Sequence, residues 1–238
     1  MSINTEYIGI FQCQSTCINS IMSLAAIAEN SFGRKIVYLQ SSEIEGWLEK
    51  EKGLLILPGG ACSGWDNVLS QDFQEKLANW VMKGNKIFGV CAGAYYCSKE
   101  TIFSFPEKEE IQKIRKVQIF QGRCAGPLYP ILKVVKICWH TGTIGHAVLL
   151  WGGVFEPELH EGYKTLATFA CKKTKGPAVV LGRYGTGLGI LSSVHWEWNG
   201  EDIVKCNPFN TTKMKAKLDD SAVFRQNCIE DMKRIFFG

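Results

Sequence analysis

The sequence predicts one α/β domain built on a doubly wound, mostly parallel sheet with helices on both faces, and three observations predict it. Apolar runs of strand length alternate with stretches of helical periodicity from Tyr7 to Val90. Leu54-Leu55-Ile56-Leu57 is apolar at every position, as expected of a strand buried on both faces of a parallel sheet. Strands separated by helices take right-handed crossovers, which stack them in parallel. A chain of 238 residues is sized for one substantial core, so the domain is expected to span residues 1–238.

The elements follow in order. Tyr7-Ile8-Gly9-Ile10-Phe11 reads as a strand, followed by a helix with Ile21, Leu24, Ala25 and Ala28 on one face. Lys35-Ile36-Val37-Tyr38-Leu39 is the second strand, with a short charged helix near 43–49 behind it. Leu54 to Leu57 is the third, closed by Pro58-Gly59-Gly60. Phe73, Leu77, Trp80 and Val81 repeat at helical spacing, and Gly84 is placed to end that helix. Lys86-Ile87-Phe88-Gly89-Val90 then runs straight into Cys91. Residues 106–117 read as a charged, exposed segment. From about Val117 to Val194, short strand-like runs are divided by glycine-rich turns, the clearest being Val148–Leu150, Ala178–Leu181 and Gly189–Leu191. The tail is helical, with Phe224, Cys228, Met232 and Phe236 on one stripe behind an Asp219-Asp220-Ser221 cap.

Composition narrows the function. A formal net charge of +4, from 27 basic and 23 acidic residues spread along the chain, forms no basic stripe, so nucleic acid is not an expected partner. Met1 to Glu6 lacks the basic start and apolar run of a secretory signal, and no apolar stretch reaches bilayer length. The expected address is the cytoplasm, with no membrane partner. Ten scattered cysteines in such a chain are expected mostly as reduced thiols. No metal or other cofactor is expected: Cys13 and Cys17 have no matching pair downstream.

Gly89-Val90-Cys91-Ala92-Gly93 is the most informative segment. A nucleophile displayed above the strand ends of a parallel sheet sits on a sharp turn, which tolerates only small neighbours, and Gly89 and Gly93 provide that room. A helix beginning after Cys91 would also favour its thiolate, the attacking species. Set against this, most free cysteines are small buried hydrophobes. At Pro58-Gly59-Gly60 the amides of Gly59 or Gly60, with that of Ala92, are candidates for an oxyanion hole, although Pro-Gly-Gly also serves as a plain turn. In Ser193-Val194-His195-Trp196-Glu197, residues two apart share a side if the chain is extended, so His195 can take the Cys91 proton while Glu197 fixes its tautomer. Of the other three histidines, His140 and His146 have no acid at this spacing, and His160 is directly followed by Glu161.

These segments carry a family resemblance. The order Pro58-Gly59-Gly60, Gly89-Val90-Cys91-Ala92-Gly93, His195-x-Glu197 resembles the Cys-His-Glu triad of class I glutamine amidotransferase-like domains. More specifically, Gly89 to Tyr96, Gly122-Arg123-Cys124-Ala125-Gly126-Pro127 and Trp151-Gly152-Gly153 resemble signatures of the biotin-protein ligase N-terminal domain family, over about residues 7–200. The resemblance implies a flavodoxin-like fold, with Cys91 as nucleophile, His195 as base and Glu197 as the orienting acid. It implies a cysteine hydrolase or amidotransferase working on a small amide or acyl substrate through a thioester, with a ligase or synthase as a possible partner. A non-catalytic ligand-binding or regulatory module on the same scaffold is the alternative. A peptidase or glyoxalase of the wider superfamily would use the same cysteine. Tyr95 stands where glutamine-hydrolysing members carry glutamine, and His195-Trp196-Glu197 where they carry His-Pro-Glu; both weigh against glutamine as substrate. The catalytic domain of a biotin ligase is absent, so biotinylation by this chain alone is not expected. Tyr95 and Arg123 are candidate substrate contacts, Arg123 for a carboxylate, though a loop arginine is more often simply solvated.

Overall fold

A computed structural model describes residues 7–105, 110–158, 162–171, 175–206 and 211–238. The first part alternates as the apolar periodicity predicts: β1 (Tyr7–Phe11), α1 (Ile18–Asn30), β2 (Lys35–Leu39), α2 (Ile44–Lys50), β3 (Leu54–Leu57), α3 (Cys62–Trp65), α4 (Phe73–Met82) and β4 (Lys86–Val90). Then come α5 (Ala92–Tyr96), β5 (Ser98–Phe103), β6 (Ile111–Ile114), β7 (Phe120–Gly126), β8 (Lys133–Trp139) and β9 (Ile144–Leu149). They are followed by β10 (Val154–Pro157), β11 (Tyr163–Phe169), β12 (Pro177–Tyr184) and β13 (Gly187–Ser192). The chain closes with α6 (Gly200–Cys206), α7 (Thr212–Asp220) and α8 (Ala222–Phe237).

The main sheet has the order β2-β1-β3-β4-β13-β12-β11-β8-β9. Pairing is parallel from β2 to β13 and antiparallel from β13 to β9, so the expected mostly parallel sheet is a mixed one. The connections explain this. A parallel pair needs a crossover of a dozen or more residues, whereas only Gly185 and Thr186 separate β12 from β13, and so short a link permits only a hairpin. A second, four-stranded sheet, β10-β7-β5-β6, had no counterpart in the sequence reading.

Period-two alternation sorts the strand residues onto two faces. Ile8, Ile10, Leu54, Ile56, Phe88, Val90 and Ile190 join one core with Leu24 and Ala28 of α1 and Met232 and Phe236 of α8. Phe11, Leu55, Leu57, Ile87 and Leu191 join the other, with Ile44 of α2, Phe73 and Leu77 of α4, and Phe120 and Phe155 of the second sheet. Helices therefore cover both faces. Each such side chain contributes ~1.5–3 kcal/mol when fully buried, an upper bound because unfolded chains already hide some apolar surface.

Two local expectations are corrected. The described part of 106–117 is not simply an exposed segment: Ile111–Ile114 is a strand, Arg115 is 2% exposed and Val117 is buried, while residues 106–109 lie outside the described set. Ser221 sits at the N-cap of α8, but its Oγ accepts the His146 N–H instead of capping the helix. Among the described residues, no helix is long and apolar enough to cross a membrane.

Candidate active site

Three adjacent parallel strands, β3, β4 and β13, end at the same level, with Leu57 opposite Gly89 and Ser192 opposite Val90. The residues just beyond those ends are therefore brought together from distant parts of the chain. In open α/β sheets this carboxyl edge is where ligands bind.

Cys91 is the residue beyond β4, and it takes φ 50° and ψ −104°, a conformation that an L-residue adopts only under constraint. The constraint is visible: its N–H donates to the Ser192 carbonyl, and the Gly93 N–H reaches Pro58 O. Gly93 is required here because a Cβ would lie 2.1 Å from the Leu57 carbonyl oxygen. Helix α5 is only five residues long, so its macrodipole is a small influence on the sulfur. The thiol donates to Leu150 O at 3.3 Å.

His195 follows β13. Its N–H donates to Val148 O, and bends on either side replace the extended chain assumed from sequence. The pairing with Glu197 forms nonetheless. Nδ1 and Glu197 Oε1 are 2.8 Å apart, both side chains are almost fully buried, and the Trp198 ring stacks on the imidazole at 4.3 Å. Because a carboxylate only accepts, Nδ1 carries the proton and Nε2 is left for other work. Burial opposes the charged imidazole, but the Glu197 carboxylate and the neighbouring Cys91 sulfur outweigh it and hold His195 well above the usual histidine range. Nε2 has no hydrogen-bond partner among the described residues, so the thiol rests on Leu150 and not on the base.

Ser20, on the buried face of α1, was missed from the sequence. Its Oγ donates to Glu197 Oε1 at 2.7 Å and accepts the Gly59 N–H at 3.1 Å. The only hint was a serine at a core position of an otherwise apolar face. This relay also corrects the expected role of Gly59, whose amide is committed to Ser20. Gly59 serves by having no side chain: a Cβ there would sit 2.9 Å from His195 Cε1. The N–H groups of Gly60 and Ala92 have no backbone partner among the described residues, and both residues line the cavity beside Cys91.

That cavity, about 130 Å³, is lined by Cys91, by Phe103 and Lys113 from the second sheet, and by Tyr95, Arg115 and Trp151. Tyr95 is a wall residue whose hydroxyl donates to Trp151 O at 3.0 Å, and burial raises its pKa. Gly126 and Gly153 pack against that same hydroxyl, so the three short motifs from the sequence meet at Tyr95. Arg123 leaves the candidate set. It points outward from β7 and pairs with Glu156, while its neighbour Cys124 faces the core. His140 lies near Asp231 and His146 against Ser221; His160 and Glu161 lie outside the described residues.

The family whose description is "Biotin-protein ligase, N terminal" matches residues 7–134, more than half of the chain. The chain belongs to this family. Among its relatives, the biotin-protein ligase of Schizosaccharomyces pombe is 25% identical over 199 residues, covering 77% of this chain and 31% of the ligase. An uncharacterized protein of Chlamydia muridarum is 32% identical over 81 residues, covering 34% of this chain and 31% of that protein. The family domain described here thus spans under a third of either relative. Among solved structures, a glutamine amidotransferase is similar with TM-score 0.56 at 20% identity, over 80% of this chain and 90% of that one. A cytoplasmic protein from Salmonella typhimurium LT2 matches with TM-score 0.54 at 9% identity, over 98% and 99% of the two chains. At these identities the likeness is one of fold, and it places this family domain on an amidotransferase-like scaffold.

Proposed function

We propose that this chain is a cysteine-dependent enzyme that cleaves or transfers the acyl group of a small amide through a thioester on Cys91. The observation that carries the reading is the buried His195–Glu197 pair beside a strained cysteine that opens onto a cavity. The Cys91 side chain turns from Leu150 O to His195 Nε2 and its proton passes to the imidazole, giving the thiolate–imidazolium pair that the raised His195 pKa favours. The sulfur attacks the acyl carbon, and charge developing on the carbonyl oxygen is met by the free N–H groups of Gly60 and Ala92. The imidazolium, supported by Glu197, returns its proton to the departing amine. Water, or an acceptor brought by a ligase or synthase partner, then breaks the thioester with His195 again acting as base.

Iodoacetamide labelling combined with amide turnover tests this. Cys91 is expected to label first among the thiols, more slowly in His195→Ala, and Cys91→Ala is expected to lose turnover by ~10³-fold or more. Absence of preferential labelling at Cys91 favours the second reading, a ligand-binding or regulatory module of a larger cytoplasmic assembly. The observation in favour of that module is the thiol held by the Leu150 carbonyl and not by the imidazole.

A further inference from the structure

The charged side chains that line the Cys91 cavity are both cations, Lys113 and Arg115. Among the described residues they share one carboxylate outside its lining, Asp66, which leaves one positive charge in excess. Arg115 is 2% exposed, lies over the Tyr96 ring at 4.8 Å, and its Nε has no hydrogen-bond partner among the described residues. Cys62 lies 3.9 Å from the Arg115 guanidinium but supplies no compensating charge, because burial raises its pKa to about 11. Lys113 is 40% exposed and Arg115 is buried, and with one carboxylate between them they keep a donor, Arg115 Nε, and a net charge that an anion entering the cavity can meet. Phe103, Ile111 and Trp151 give the remaining wall an apolar character, and a volume near that of a cavity holding benzene keeps the ligand short.

We infer that the substrate of this site is a short monoamide of a dicarboxylic acid, whose amide lies at Cys91 and whose free carboxylate is held by Lys113 and Arg115. The inference rests on the enzymatic reading above and adds the class of substrate. Among the described residues no acidic side chain lines the cavity, so the ammonium group that accompanies the carboxylate of an α-amino acid such as glutamine would be left unpaired beside the two cations. In the reaction the C–S bond forms first and leaves the charge on the carbonyl oxygen; the C–N bond then breaks, ammonia leaves with the His195 proton, and water cleaves the C–S bond to release the dicarboxylate and restore the thiol.

The test compares succinamate with butyramide, in which a methyl group replaces the carboxylate, and with glutamine, measuring ammonia release and the acyl adduct on Cys91. Wild type is expected to favour succinamate over both by about tenfold or more, the scale of a charge-assisted contact. Lys113→Gln is expected to bring succinamate down to the butyramide rate, and Lys113→Arg to restore the preference. Equal rates on succinamate and butyramide, unmoved by Lys113→Gln, overturn the inference and leave the cysteine enzyme standing. Binding to Cys91→Ala, followed by NMR, separates the two ideas when no amide reacts. Succinamate binding that is lost in Cys91→Ala/Lys113→Glu supports the anion site without catalysis, and binding no tighter than that of butyramide sinks it.

Discussion

The parallel half of the main sheet and the small second sheet contribute to the same cavity in different ways. Strands β3, β4 and β13 present Gly60, Cys91 and His195 from their carboxyl ends, Cys91 and His195 held by their own backbone hydrogen bonds and Gly60 by those of its neighbours Gly59 and Ala61. The second sheet supplies side chains from the face of strands: Thr101 and Phe103 of β5, and Ile111 and Lys113 of β6. The first arrangement fixes position to within a fraction of an ångström, as chemistry requires; the second sets shape and charge, as recognition requires. One half is suited to react and the other to select.

Substitutions in the two regions should therefore fail differently. A large effect, on turnover and stability together, is expected from Gly59→Ala, which forces a methyl group onto the His195 ring and Ser20. Turnover should fall by ~10²-fold for a displacement of this size, and denaturant melts should show a loss of about 1–3 kcal/mol from overpacking. A variant with full activity would mean that the imidazole has room to move and that the parallel edge is less rigid than described.

Glu197→Gln probes the same edge electrostatically. The carboxylate is the strongest influence raising the His195 pKa, so imidazole NMR should show that pKa falling in the variant, with turnover reduced by roughly 10²–10⁴-fold. Folded His195 binds its proton more tightly than in the unfolded chain. Its contribution to stability is therefore full below about pH 6.5 and is lost as pH rises through the folded value. In Glu197→Gln this loss sets in at lower pH, which thermal melts across a pH series will detect.

The smallest effect is expected at Arg123, on the outer side of the second sheet. Its exposed pair with Glu156 lies away from the cavity, so Arg123→Ala should change neither kinetics nor melting temperature measurably. A clear rise in KM would show that both sides of this sheet contribute to recognition.

Much of the parallel half was legible because its signals are local. The first four strands match the apolar runs residue for residue, and Ile21, Leu24, Ala25 and Ala28 of α1 are buried as their spacing predicts. Cys91 stood out because an elbow needs glycines at fixed offsets. The second sheet was not legible: β6 has only four residues, carries a lysine and is mostly exposed, so its periodicity is too weak to separate from a charged loop. Lys113 and Arg115 became site residues only when that strand closed over the elbow.

The amino-acid sequence by itself determined the strand and helix alternation, the strained turn at Cys91 and the presence of a histidine and a carboxylate two residues apart, because each depends on neighbours along the chain. The tertiary structure alone decided that β13 lies beside β4, that the Gly59 amide serves Ser20, and that two cations line the cavity at Cys91. Those facts depend on which strands pair across more than a hundred residues, and pairing is settled by the burial of whole faces and not by any local motif.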